Sequence, residues 1–401
     1  VANEQRTIRQ IPVPVAPSSP VLQRIGGSKE IATLMVRGNL FTNWTSVRIE
    51  QLVTEAFPKF QFECTEESKI PLEVNALQFV PGDVVVAYVG GVQAIFGYIT
   101  ERHVGLDGKQ HGVRLVGVGD TFDLTNSMVP IEKLGGHDGK GWLELAKDLS
   151  SHLGIKIIPR GSVDNTPFEN IQVQPGDTIM SILERYAKMR NIVIGSEATG
   201  GLMAIGEHEA TSTGTLIEGN NILRANCVIR DQAVYKKIYA VGQSTGSDQG
   251  SGDSQNKQIA FQPGSSSRNR IMITLADVAD TMHGVTRRAQ MEKVFTEGSE
   301  IEAQITVQGW FKDNNQSDEV WRAGEYYHVE SPSLILHQIL GCSGCIYEQS
   351  NSGTTTTLIM VDPIHMNGKR NYRDAIMFEI NRRREQERAE RQQPGTETPP
   401  I

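Results

Sequence analysis

The chain has 401 residues, 38% of them apolar and 6% aromatic, enough for ordinary cores spread over about two to four domains. Its formal net charge of -8 excludes a global basic field for binding nucleic acid or an anionic membrane. Four cysteines are too few for a disulfide scaffold, and no stretch approaches the roughly 18 apolar residues of a membrane span. No basic segment followed by an apolar one opens the sequence, so a chain folded in a reducing cytoplasm is expected, without membrane insertion.

Residues 1–30 carry Pro12, Pro14, Pro17 and Pro20. Proline fixes φ and removes a donor, so an extended arm is expected, either a loose tail or a segment that orders on a neighbouring subunit. Strand signals fill residues 31–135. Phe60, Phe62 and Cys64 alternate with Gln61 and Glu63, which predicts a strand with its apolar side chains inward. Pro81-Gly82-Asp83 introduces the run Val84 to Tyr88, and a Gly90-Gly91 turn leads to a strand from Val92 to Ile99. After the polar turn at Asp107-Gly108-Lys109, a further strand is predicted from Gly112 to Val118. Short strands and frequent turns argue for an antiparallel barrel or sandwich.

Residues 136–215 change texture. Trp142, Leu145, Ala146, Leu149 and Leu153 repeat at helical spacing, and Gly154 ends that helix. A second helix starts after Gly176-Asp177-Thr178, with Ile179, Ile182, Leu183 and Tyr186 on its apolar stripe. A hairpin with a Gly200-Gly201 turn follows, so a small α+β domain is expected between two β-rich regions. Strands resume over residues 216–370, interrupted by a polar loop at 242–257 and a long helix expected at 275–297. Residues 371–401 form a charged tail in which Arg382, Arg383, Arg384, Arg388 and Arg391 interleave with Glu385, Glu387 and Glu390.

A coarse internal repeat runs through this order. Gly82-Asp83, an apolar strand, a hairpin and a closing strand at 112–118 have a later counterpart. Gly324-Glu325 precedes Tyr326 to Val329, then Leu334 to Leu340, a turn at Asn351-Ser352-Gly353, and Thr356 to Val361. Order and spacing agree although residue identity mostly does not. The fold expected is mainly β (α+β), with two antiparallel β-barrels and a small inserted α+β domain.

Motifs for chemistry are sparse. The stretch from Gly135 to Gly141 looks like a phosphate loop, but Leu134 and Gly141 break the Walker spacing, and a turn before the Trp142 helix fits better. Cys342-Ser-Gly-Cys345 lacks a second pair for zinc and sits where the repeat predicts a β-turn. His208 lies between Glu207 and Glu209 in what reads as a solvated strand end. The segment Val173 to Ala187 resembles the opening of a LysM glycan-binding module, yet strand-like Ile192 to Ile194 stands where a second helix belongs. No catalytic, cofactor or metal residues are assigned, and a non-enzymatic chain is expected. A peptidoglycan-binding or wall-degrading protein working through 173–187 is the alternative.

The stretch Met35-Val-Arg-Gly-Asn-Leu-Phe-Thr-Asn-Trp-Thr-Ser-Val-Arg-Ile49 resembles the opening strands of the baseplate hub proteins of Mu-like contractile phages. The likeness continues through Phe60-Gln-Phe-Glu63, residues 81–83, the paired helices and Gly-Gly hairpin, and Leu216 to Ile222, over roughly residues 31–370. The arm and the tail depart from it. The resemblance implies a structural protein of the virion tail baseplate, assembled in the host cytoplasm as a homotrimer. Two barrels per subunit would give six quasi-equivalent positions, adapting a hexameric tail tube to a trimeric spike while the genome passes without sequence-specific contacts. A component like the type VI secretion spike is a neighbouring possibility.

Overall fold

The computed structural model describes residues 30–53, 55–66, 79–106, 111–243, 257–278, 281–312 and 319–369. The arm before Glu30, most of the polar loop at 242–257, the turn at 107–109 and the charged tail lie outside the described residues.

A first unit begins with β1 (Ala32–Val36), which turns at Gly38 (φ +80°) into β2 (Asn39–Phe41). β3 (Ser46–Leu52), β4 (Lys59–Glu66), β5 (Val84–Val89), β6 (Val92–Leu106) and β7 (His111–Gly119) follow. Six of these strands pair in the order β3-β4-β7-β6-β5-β1, every pair antiparallel. The alternation in β4 has the predicted effect: Phe60, Phe62 and Cys64 are buried.

The chain then builds an α+β domain from α1 (Phe122–Asn126), α2 (Trp142–Ser150), β8 (Ile157–Arg160), α3 (Ile179–Lys188), β9 (Val193–Ser196) and β10 (Leu202–Ile205). Thr178 caps α3 by accepting the Ser181 N–H (3.2 Å), which orients the apolar stripe toward α2. There Trp142 is fully buried and its indole N–H donates to the Leu183 carbonyl (2.9 Å). Leu124 and Val129 pack into this same core, so residues just after β7 belong with the α+β domain, although strand signals in the sequence extend the first β-rich region to 135. α1 carries them there by folding onto α3.

After β11 (His208–Glu209), a second unit starts with β12 (Ser212–Ile217) and β13 (Ile222–Ile229). A three-stranded sheet is inserted next, from β14 (Lys237–Gln243), β15 (Lys257–Pro263) and β16 (Ile271–Leu275), backed by α4 (Met282–Gly298). The helix expected at 275–297 therefore starts seven residues later. Ile271, Ile273 and Leu275 alternate as a strand, and Leu275 pairs with Val241. The unit is completed by β17 (Ile301–Gln308), β18 (Tyr326–Ser331), β19 (Leu336–Ser350) and β20 (Gly353–Val361), before β21 (Gly368–Lys369) pairs with β11.

The second unit pairs in the order β13-β17-β20-β19-β18-β12, which repeats the first strand for strand. β6 and β19 each have 15 residues, β7 and β20 nine, β5 and β18 six, and β4 and β17 eight. Gly82 (φ +96°) donates its N–H to the Ile99 carbonyl (2.7 Å), as Gly324 (φ +87°) does to the Cys342 carbonyl (2.8 Å). Both long strands also carry a bulge. Its extra residue is Thr100 in one and Ser343 in the other, and their hydroxyls donate to the carbonyls of Val116 (3.3 Å) and Ile359 (3.2 Å). One pair differs: β1 runs antiparallel to β5, whereas β12 runs parallel to β18. The chain leaves β1 through its hairpin with β2, while β12 is entered from the α+β domain. The expected pair of barrels is thus two copies of one six-stranded unit, fused into a single hydrogen-bonded sheet around one shared core.

Asp120 holds the boundary between the first unit and the α+β domain. Its carboxylate accepts the Gly201 N–H (3.2 Å), yet burial pushes its pKa up to about 6. A raised carboxyl pKa means that its ionised form opposes folding, so its contribution to stability is lost as pH rises from about 4 to about 6. Asp120→Asn keeps an acceptor and removes the charge. It is expected to raise the thermal midpoint at pH 7.5 and to change it little at pH 4, as read by circular dichroism melts at both values.

Candidate assembly surface

The two units meet edge to edge. Val47 to Leu52 of β3 pair antiparallel with Gly344 to Gln349 of β19, in direct continuation of each unit's ladder. On the outer face, Arg48 forms ion pairs with Glu348 across the seam and with Glu50 (2.6 Å) on its own strand. On the inner face, buried Ile49 lies opposite buried Tyr347. The Tyr347 hydroxyl donates to the Trp321 carbonyl, and burial holds this phenol well above its ordinary pKa, hence neutral. Two further bonds tie the seam to its surroundings. The Trp310 indole donates to the Glu348 carbonyl (3.3 Å), and the Ala32 N–H donates to Gln349 Oε1 (3.1 Å). Glu30, at the end of the predicted arm, accepts the Trp310 N–H (3.0 Å) and so reaches the second unit as well.

Two stretches of the fused sheet, one end strand and one overhang, leave backbone groups unpaired among the described residues. β13 pairs only with β17, so its outer edge is open. β6 pairs with β5 only as far as Tyr98, so the same edge is open from Glu101 onward. Apolar side chains are exposed at both: Leu223 (56%), Val228 (39%) and Ile229 (53%) on β13, and Val104 (42%) on β6. A free edge with apolar neighbours is a template for another strand. The inserted sheet shows Ile259, Phe261, Ile271, Ile273 and Leu275 on its outward face, opposite α4.

The motifs weighed for chemistry resolve into structure. Lys140 pairs with Asp148 (2.6 Å), and His137 is buried with its Nε2 on the Lys133 carbonyl (2.7 Å), so the 135–141 loop is the turn that launches α2. Cys342 and Cys345 lie inside β19 at its bulge, not in a β-turn, because β19 is one long strand shared by β18 and β3. Their sulfurs are 3.5 Å apart, and burial followed by the Cys342 hydrogen bond pushes the Cys345 thiol far up, so it stays protonated. His208 is half-buried rather than at a fully solvated strand end: its Nε2 meets the Tyr326 hydroxyl at 2.6 Å, while Glu207 pairs with Arg287 (2.9 Å). Asp177 accepts the Gln174 N–H (3.1 Å), and the chain passes from α3 into β9 rather than into a second helix. No cluster able to hold a metal ion is found among the described residues.

Sequence reasoning ends the first long strand at Ile99. The polar run Thr100-Glu-Arg-His hides seven further residues of β6. The matching spacing of β19 is the signal for them.

Comparison with known proteins gives a consistent set. Residues 31–119 match the family described as Mu phage baseplate assembly protein GpP-like, N-terminal, and residues 121–206 match baseplate hub protein gp44-like, second domain. The chain is 24% identical over 294 residues to baseplate hub protein gp44 of Escherichia phage Mu, covering 71% of this chain and 75% of that one. Its fold is similar to that of the 43 kDa tail protein of prophage MuSo2 from Shewanella oneidensis (TM-score 0.71, 22% identity, 84% of this chain and 100% of that chain). It is also similar to a tail protein from Neisseria meningitidis MC58 (TM-score 0.69, 18% identity, 84% and 98%). A component of the E. coli type VI secretion system is more distant (TM-score 0.53, 8% identity, 84% and 79%).

The seam's strength lies on its inner face. Tyr347→Ala is expected to cost about 3–5 kcal/mol by emptying a buried site. Arg48→Ala, which removes a half-exposed ion pair, is expected to cost less than about 1 kcal/mol. Urea unfolding of both variants checks the contrast, which reverses if the surface charges hold the units together.

Proposed function

The chain belongs to the baseplate hub proteins of Mu-like phages, and on that premise we propose that it works as a homotrimeric adapter between the hexameric tail tube and the trimeric central spike. It is a structural component of the phage tail, and this reading assigns it no reaction. One observation carries the proposal: a single chain holds two copies of one strand order, joined in continuous register. Three such chains present six similar units to a sixfold ring. The α+β domain and the inserted sheet occur once per chain and keep their own end threefold. Cyclic, closing contacts are the economical way to assemble such a ring. The net charge of -8 suits a channel that lets nucleic acid pass without gripping it.

The purified full chain is expected to sediment as three copies of 44.2 kDa at micromolar concentration. Class averages from negative-stain microscopy are expected to show a ring, sixfold at one end and threefold at the other. A folded chain that stays monomeric at tens of micromolar overturns the reading.

A further inference from the structure

The inserted sheet buries one face and leaves the other open. Ala240 and Ala260 pack on Val285 and Ala289 of α4, and Gly242 carries no side chain because a Cβ there would run into Val285. Alternate residues point the opposite way. The ladders align them in two complete rows across β15, β14 and β16: Phe261–Tyr239–Ile273 and Ile259–Val241–Leu275. The rings of Tyr239 and Phe261 lie 5.3 Å apart on that face. Ile273 and Leu275 are 68% and 72% exposed, and Ile259 and Phe261 are exposed as well. Single apolar residues at a surface are ordinary, but two adjoining rows form a continuous patch, which calls for a partner.

We infer that residues 372–380 of the C-terminal tail fold back over this face of the same chain's inserted sheet and cover it. Three observations point to this occupant. The large apolar side chains of residues 370–401 are Tyr372, Ile376, Met377, Phe378, Ile380 and Ile401, so all but the last fall within 372–380. A charged segment that remains in water gains nothing from such a cluster. The tail also departs from the right place. Lys369 of β21 lies 4.0 Å from Glu207, and Glu207 pairs with Arg287 of α4 (2.9 Å), so the chain leaves beside the helix that backs the sheet. Arg370 to Ala375 span up to about 20 Å when extended, enough to pass a layer of roughly 10 Å, and this short tether keeps the cluster concentrated near the patch. Finally, Lys237 continues the face beyond Tyr239 and is exposed, which complements Asp374 and Glu379 of the segment. The inference is independent of the trimer.

Photo-cross-linking of the full-length chain tests this. With p-benzoylphenylalanine in place of Phe378, irradiation is expected to attach the tail to peptides of β15 or β16, as mapped by mass spectrometry. The product is expected to run as a single chain on a denaturing gel. The same reporter in place of Gln392, beyond the cluster, is expected to give no such adduct. Ile273→Glu changes an exposed position, so the circular dichroism spectrum is expected to stay as it is while the adduct from position 378 is lost. Adducts that join two chains overturn the inference, because the cover then comes from a neighbour. Adducts elsewhere in the chain, no adduct at all, or one that survives Ile273→Glu in a folded variant overturn it too.

Discussion

Six residue pairs of backbone ladder between β3 and β19 set the relation on which the rest of the molecule depends. Side-chain packing alone leaves two domains some freedom to tilt. A shared ladder does not, because its hydrogen bonds fix spacing, direction and register together. The second copy of the unit is therefore placed at one defined rotation from the first, and the apolar residues of both converge in a single core.

Around this frame, the two segments that are not repeated brace each other. Asp164 of the α+β domain receives His283 (2.7 Å) and Arg287 (2.9 Å) from α4, and Arg287 also reaches Glu207 (2.9 Å). Burial works against charge on Asp164, but the hydroxyl and N–H of Thr166, with His283, outweigh it and hold the carboxyl down at about 2. A depressed carboxyl contributes stability above its unfolded value and loses it as pH falls from about 4 toward 2, so the Asp164 carboxylate is ionised throughout the neutral range. Tyr326, bonded to His208, connects the same region to the second unit.

Local patterns in the chain foretell local structure well. The alternation at 60–64, the helical spacing from Trp142 to Leu149 and the Gly-Asp-Thr start of α3 each depend on neighbours in sequence, and each forms as expected. The repeat is visible as order and spacing, because turns at Gly82 and Gly324 must fall at fixed places whatever residues fill the strands. What stays hidden is pairing between distant segments. Nothing near Gln51 or Cys345 announces that they face each other across nearly three hundred residues. The start of α4 is misplaced for a related reason. Leu275 and Val278 fit a helical stripe, and only the partner strand β14 commits Leu275 to a sheet. Cys342 and Cys345 likewise read as a turn because the bulge that accommodates them is defined by two partner strands.

The direction of the β3–β19 ladder has a mechanical corollary. Its hydrogen bonds lie across the strands, so a pull along the strand axes loads them in shear, all together, whereas a pull at right angles within the sheet unzips them singly from one end. The two units should thus withstand a sudden axial jolt far better than a slow peeling force. The weakest place under peeling is the margin at Leu52 and Gly344, where the bulge interrupts the neighbouring ladder.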